Sequence, residues 1–407
     1  MVRRTSSTAT LALLVSIVVT FLASSAAPTP LYATYGAEWG FGSLGTTIAF
    51  GVYAVAVLVA LLVLGRLSDH LGRRPVLLAG IAGQIVSLVV LTTATGYPAL
   101  LTGRVLQGVA TGAAVGAVGA AMLDVDRVRG SVANGTAPGV GTAVGALLSG
   151  AVVQFLPAPA HTIYLLVIAL LLVQAVGVLR MAETSPRLPG AGLRARASLV
   201  PEIRLPRAVR PRMLVAAPVV FAVWALAGLY GSLAPTLVHQ LGAHGVLLGA
   251  LALSTLAGVA AAAGLVLRDQ APRTLMLIAI AALVVGVTGT LASVEARWLL
   301  GFFVGSFVAG IGFGTGFQGA VRSAVGAAEP HERAGVLSAL YVVAYLGMGV
   351  PAVVAGALVG RVGDVTSVVR DYGIVLVVLA LGALVGLLRP AATPARATCP
   401  QVEAVQV

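Results

Sequence analysis

Long apolar runs, broken by short polar or Gly/Pro-bearing stretches, occupy most of this chain. They fall at about 9 to 34, 43 to 64, 75 to 95, 98 to 122, 132 to 156 and 161 to 181. After a polar interval they resume at about 213 to 237, 245 to 267, 274 to 293, 297 to 321, 335 to 359 and 372 to 388. Each is near or above the roughly 20 residues that a helix needs to cross a bilayer core. Runs of this length are not the alternating ten-residue segments of a membrane barrel. The pattern predicts an all-α integral membrane protein with 12 transmembrane helices, six on either side of a central polar segment.

Composition agrees. Hydrophobic residues make up 59% of the 407 and charged residues 9%, where a soluble protein carries about a quarter charged. Fifty glycines suit helices that pack backbone to backbone in a membrane. All 25 basic residues are arginine, a bias of a GC-rich, bacterial kind of genome. Without lysine, the phosphate-binding Gly-x-x-x-x-Gly-Lys-Ser/Thr loop cannot be formed, which excludes ATP drive through that motif. The net charge of +12 does not imply nucleic acid, because no soluble domain gathers the arginines into a patch. The one cysteine, Cys399, rules out an intrachain disulfide.

Arginine placement tests the span count, since a wrong number would scramble the excess of basic residues on the inner side. With the N-terminus inside, the inner segments hold Arg3, Arg4, Arg66, Arg73, Arg74, Arg127, Arg129, eight arginines of the central loop, Arg268, Arg273, Arg322, Arg333, Arg389 and Arg396, 21 of the 25. Arg297, Arg361 and Arg370 fall outside, each near an acid, and Arg104 lies within a span. Both termini are therefore expected in the cytoplasm of a bacterial inner membrane. Reading Arg3 to Ala26 as a cleaved signal peptide would leave eleven spans and spoil the six-plus-six symmetry. The implied organisation is a six-helix bundle over 1–182, an irregular, arginine-rich cytoplasmic linker over 183–212, a second bundle over 213–390 and a tail over 391–407.

The halves repeat. A shift of 200 residues pairs Leu67 with Leu267, Asp69 with Asp269 and Arg73 with Arg273, and a shift of 198 pairs Gly103 with Gly301 and Gly112 with Gly310. After the second span stands Gly65-Arg66-Leu67-Ser68-Asp69-His70-Leu71-Gly72-Arg73-Arg74-Pro75. It resembles the loop signature of the major facilitator superfamily, in particular its 12-span bacterial drug:proton antiporters. Gly72 supplies a tight turn, Asp69 can accept hydrogen bonds from arginines or a helix N-terminus, and Asp124 or Asp126 can pair with Arg73 or Arg74. The resemblance implies that these contacts hold the halves together in the outward-open state and break for alternating access.

Arg104 is the one charged residue deep in a span, so it should face a cavity or partners rather than lipid. Gln107 and Thr111 continue its helical stripe. The segment Gly103 to Gly108 resembles the fourth-span signature of proton-coupled carriers, which implies a part in proton transfer; an alternative is hydrogen bonding to carbonyls of the first helix. In the fifth span Gly141, Gly145 and Gly150 resemble the glycine-rich antiporter motif, with Ala146 and Ser149 departing from it. Candidates for a substrate cavity are Ser16, Thr20 and Ser24 on the first span, Tyr53 on the second, Trp224 and Tyr230 on the seventh, Thr315 and Gln318 on the tenth, and Ser338, Tyr341 and Tyr345 on the eleventh.

All thirteen acids lie outside the helix cores, so a proton path has only Asp69, a rim acid or, indirectly, Arg104. The five histidines stand at span ends or in loops, with no His-Glu-x-x-His pair, so neither an enzyme nor a metal site is expected. The expected function is secondary active export of small amphiphilic compounds by proton antiport, with uptake or facilitated passage as the alternative. The proton gradient would supply the energy without any bound cofactor. Partners would be a small-molecule substrate and the lipid bilayer, and the protein a monomer.

Overall fold

A computed structural model of the chain describes residues 7–185, 193, 195–196, 198–243 and 245–388. Arg3, Arg4, Arg187, Arg194, His244, Arg389, Arg396, Cys399 and the tail over 391–407 lie outside the described residues. Among the described residues, twelve helices are long and apolar enough to cross a membrane. They are α1 (Ser7–Ala26), α2 (Ser43–Leu64), α3 (Arg73–Thr92), α4 (Tyr97–Val125), α5 (Arg127–Phe155), α6 (Pro159–Arg180), α7 (Arg210–Ser232), α8 (Val246–Val266), α9 (Pro272–Glu295), α10 (Leu299–Val325), α11 (Arg333–Val362) and α12 (Val365–Leu388).

The first span ends earlier than the apolar run suggests. Pro28 and Pro30 lack the N–H that a helix interior requires, and the chain passes through a 3-10 turn, Thr29–Leu31, into a short helix, Tyr32–Trp39. α7 does the same: it stops at Ser232, and Pro235 opens the short helix Ala234–Gln240. α12 starts seven residues before its apolar run, where the Asp364 carboxylate accepts hydrogen bonds from Thr366 N at 3.0 Å and Ser367 N at 3.1 Å.

Packing repeats between the halves. In the first, α4 packs on α1, α2 and α3, α5 on α1, and α6 on α1 and α3; in the second, α10 packs on α7, α8 and α9, α11 on α7, and α12 on α7 and α9. Hydrogen bonds repeat as well. Arg74 at the start of α3 donates through Nε to Val178 O at 3.1 Å, near the end of α6, and Arg273 at the start of α9 donates to Leu387 O at 3.2 Å, near the end of α12. The halves meet through α5 against α8 and α2 against α11, two contacts that the same pseudo-two-fold relation exchanges.

The two ends of this interface differ. One end of the bundle carries Arg66, Arg73, Arg74, Arg268, Arg273, Arg322 and Arg333, and is called here the arginine-rich end. At the opposite end the halves are sealed. Gly51 of α2 packs against Val353 of α11, Gly231 of α7 against the Phe50 ring, and Thr29 Oγ1 donates to Gly231 O at 3.4 Å. α5 and α8 run antiparallel, with Gly150 against Ala250 and Gly139 against Ala257 and Ala261. In the same register Gly135 stands opposite Gly264, and neither has an atom within 4 Å of where a Cβ would sit. At this pair α5 and α8 are out of contact toward the arginine-rich end.

Candidate functional site: a polar pocket behind an aromatic cluster

Gly72, with φ of 95°, turns the chain from the short helix Leu67–Leu71 into α3, a conformation that favours glycine. Arg73 is then aimed inward. Its NH1 donates to Ser68 Oγ at 2.7 Å and pairs with Asp69, and its Nε donates to Asp124 Oδ2 at 3.1 Å. Of the two aspartates expected here, Asp124 is the partner. Asp126 instead caps α5, accepting from Val128 N at 3.0 Å and Arg129 N at 2.9 Å. The Arg74 guanidinium has no carboxylate partner among the described residues and binds the carbonyls that end α6. Gly65 closes α2, where Gly116 of α4 packs on its backbone.

Arg104 is 1% exposed. Its Nε donates to Ala49 O at 3.4 Å, its NH1 to Ser25 O at 3.0 Å and to Gln107 Oε1, and the guanidinium lies 4.2 Å from the centre of the Tyr53 ring. Gln107 Nε2 donates onward to Ser24 O at 3.0 Å, and Ser24 Oγ also accepts from Gln84 Nε2 at 2.7 Å. Ser24 is thus an anchor of this network, not a free cavity hydroxyl. Thr111 continues the stripe, buried, with its hydroxyl unpartnered. Every partner of the Arg104 cation is neutral, and none of the described carboxylates is buried.

Across the interface the second half presents rings. Trp224 of α7 meets Phe313 and Phe317 of α10 edge-on, with centroids 6.2 and 5.4 Å away, and Tyr345 of α11 at 5.0 Å. Tyr341 lies 6.0 Å from Phe317 and 6.3 Å from Tyr345. Phe50 and Ala54 of α2 form one buried cluster with Met348 of α11, against which Trp224 and Tyr345 pack, joining the halves. Trp224 Nε1 and Gln318 Oε1 are buried without a hydrogen-bond partner. Phe50, Phe313 and Phe317 are new members: as phenylalanines in apolar runs they carry no polar mark, and the only local signals were the spacing of four between Phe313 and Phe317 and of three between Phe50 and Tyr53.

The remaining candidates lie elsewhere. Tyr230 points into the second half, stacked on Phe302 and hydrogen-bonded to Ser306 Oγ at 2.7 Å, so it does not join the cluster. Ser16 and Thr20 accept from Gln174 on α6, and Thr315 bonds back to Ile311 O. Ser338, in the first half of α11, is half-buried. Gly141 and Gly145 let α5 approach the α1 backbone at Val19 and Ala23, while Gly150 faces α8. At the sealed end a cleft of about 370 Å³ is lined by Tyr32, Ser43, Thr46, Ser232 and Thr236.

The described residues form twelve candidate membrane spans in two related halves with a polar and aromatic centre where they meet, the architecture of a multi-pass membrane protein. The sequence profile of the Major Facilitator Superfamily matches residues 10–289. The chain belongs to that superfamily. It is 38% identical over 128 residues, 30% of this chain and 32% of the relative, to the class G tetracycline resistance protein of Vibrio anguillarum. It is 38% identical over 65 residues, 16% and 17% of the two chains, to the multidrug resistance protein MdtL of Citrobacter koseri. The chain spans about a third or less of these relatives. Among solved structures, the human organic anion transporter MFSD10 superposes with a TM-score of 0.67 at 19% identity, covering 94% of this chain and 100% of that one. The nucleoside transporter NupG superposes with a TM-score of 0.71 at 14% identity, with the same coverages. At such identities the likeness is one of fold.

Proposed function

We propose that this chain exports small amphiphilic compounds, drugs or metabolites, across a bacterial inner membrane in exchange for protons. The arginine-rich end and both termini face the cytoplasm in this reading, following the excess of arginine on that side. The observation that carries it is the placement of Trp224, Tyr341, Tyr345 and Phe50 at the meeting of the halves, closed off at one end while α5 and α8 part at the other. A carrier working by alternating access needs a central site reached from one side at a time. Export is supported by the resistance proteins among the relatives. Drive by protons is supported by the Arg104 segment and the Asp69 loop.

A second reading, facilitated passage or uptake on the same fold, is favoured by the absence of any buried carboxylate among the described residues, since an acid is the usual resting place of a coupling proton. Accumulation of dyes and antibiotics in an efflux-deficient bacterium separates the two. Export by antiport gives reduced accumulation that a protonophore abolishes and that Arg104→Ala and Asp69→Asn both lose. Raised accumulation overturns export, and a protonophore-insensitive change overturns the coupling.

A further inference from the structure

We propose that the central aromatic cluster accepts uncharged or anionic ring compounds bearing a hydrogen-bonding group at the ring edge, and discriminates against cations. The proposal rests on the reading of this cluster as the binding site.

Two independent features carry it. The first is an unmatched polar atom. Trp224 sits among three rings from α10 and α11, yet its indole N–H is buried with no acceptor. Buried donors and acceptors normally have partners, because leaving one unmade costs stability. A phenylalanine would have packed there without that cost. A planar ligand that packs on these rings supplies the partner if it carries an acceptor for the indole, as a carboxamide or a carboxylate does.

The second feature is charge. A cluster of rings alone would attract a cation to its faces. Here a cation is already in place: the Arg104 guanidinium lies 4.2 Å from the centre of the Tyr53 ring. Tyr53 stands one helical turn from Phe50, and Phe50 belongs to the buried cluster against which Trp224 and Tyr345 pack. Arg104 is held by the carbonyls of Ser25 and Ala49 and by Gln107, all neutral. The described acids sit at helix ends and in loops, so no counter-charge cancels it locally. In a site of reduced dielectric, a fixed charge one ring away opposes a cationic ligand and leaves a neutral one untouched.

The test uses the full chain with Trp39→Phe and Trp298→Phe in lipid nanodiscs, which leaves Trp224 as the sole indole. Fluorescence quenching is titrated with four probes on one ring system: naphthalene, 1-naphthamide, 1-naphthoate and 1-naphthylmethylammonium. The expected order is the amide and the carboxylate binding most tightly and the ammonium about tenfold or more weaker than the amide. In Arg104→Gln the ammonium should approach the amide.

An ammonium that binds the unaltered site as tightly as the amide overturns the proposal, whether or not the Arg104 variant folds. An amide and a carboxylate that bind no more tightly than naphthalene overturn the polar pairing. Saturable binding in the expected order by a protein that shows no efflux overturns the transport reading and supports the ligand class. No quenching by any probe overturns both.

Discussion

The Glu183 carboxylate caps the start of α3. It accepts hydrogen bonds from the backbone N–H of Arg73 at 2.8 Å and of Arg74 at 3.0 Å, and from Thr184 N and Ser185 N behind it. One side chain thereby fixes the loop motif, the first turn of α3 and the departure of the linker after α6. Losing a cap of this kind costs about 0.5–2 kcal/mol, so Glu183→Ala should lower the unfolding temperature in detergent and Glu183→Gln should lower it less. Gly72→Ala should act through the same contact, because its Cβ would come within 2.8 Å of Glu183 Oε2 at a φ of 95°. The double variant is expected to fall short of the sum, and full additivity would show that the two do not share one contact.

Asp364 gives a pH prediction outside the spans. Backbone hydrogen bonds from Ser367 and Thr366 hold its carboxyl below the usual value of 3.8. Its contribution to stability is then complete above that value and is lost only as pH falls through the lower folded one. A ¹³C-aspartate titration should show for Asp364 a midpoint below 3.8, assigned by its loss in Asp364→Asn. A midpoint at or above the usual value would mean the cap is not formed.

The twelve spans were legible because each helix hides its backbone polarity and exposes an unbroken apolar surface. Their ends were not. The first apolar run continues through Pro28 and Pro30, where the chain turns, and α4, α5, α10 and α11 run past their apolar stretches into polar residues that caps and arginines hold in the helix. In the site, Tyr341 and Tyr345 were visible as one face at a spacing of four, and Trp224 joined them. Tyr230 looked equivalent to Trp224, but six residues is about one and two-thirds turns, which sends it to another face. The linker showed least. Read as an irregular tether, it places Glu202 on Arg66 at 2.5 Å while the Arg204 backbone packs on Gly335 of α11, contacts that no local pattern announces.

Arg104 should not be replaceable by lysine. Its guanidinium reaches the carbonyls of Ser25 and Ala49 and the Gln107 amide together while facing Tyr53. A point-charged ammonium on a flexible stem cannot fill that fork. Arg104→Lys is expected to lose most transport and to unfold at a lower temperature, and a lysine variant with native stability and transport would show that charge alone suffices.

Glycine positions along α5 should separate sharply. At Gly145 a methyl group would overlap the backbone of Ala23 in α1, so Gly145→Ala should cost about 1–3 kcal/mol as an overpacked contact. At Gly135 the space is open, and alanine there should gain up to about 1 kcal/mol of helix propensity. Thermal unfolding of the two variants checks the contrast. Equal effects would mean that α1 and α5 are not in backbone contact.

The gap at Gly135 also reports on movement. The register that sets Gly139 against Ala261 and Gly150 against Ala250 continues to Gly135 opposite Gly264, yet nothing lies within 4 Å of where either Cβ would be. If the halves rock about their sealed end, this pair comes together when the arginine-rich end closes. A chain with Cys399→Ser, Gly135→Cys and Gly264→Cys should therefore cross-link only in molecules that visit the closed state. A disulfide needs Cα atoms roughly 4.4–6.8 Å apart. Oxidation should stop transport, and reduction should restore it. Gly135→Trp should stop transport irreversibly while leaving thermal stability near normal, because the bulky ring fits the present gap and blocks its closure. Transport that continues in the cross-linked protein would show that α5 and α8 do not separate during the cycle.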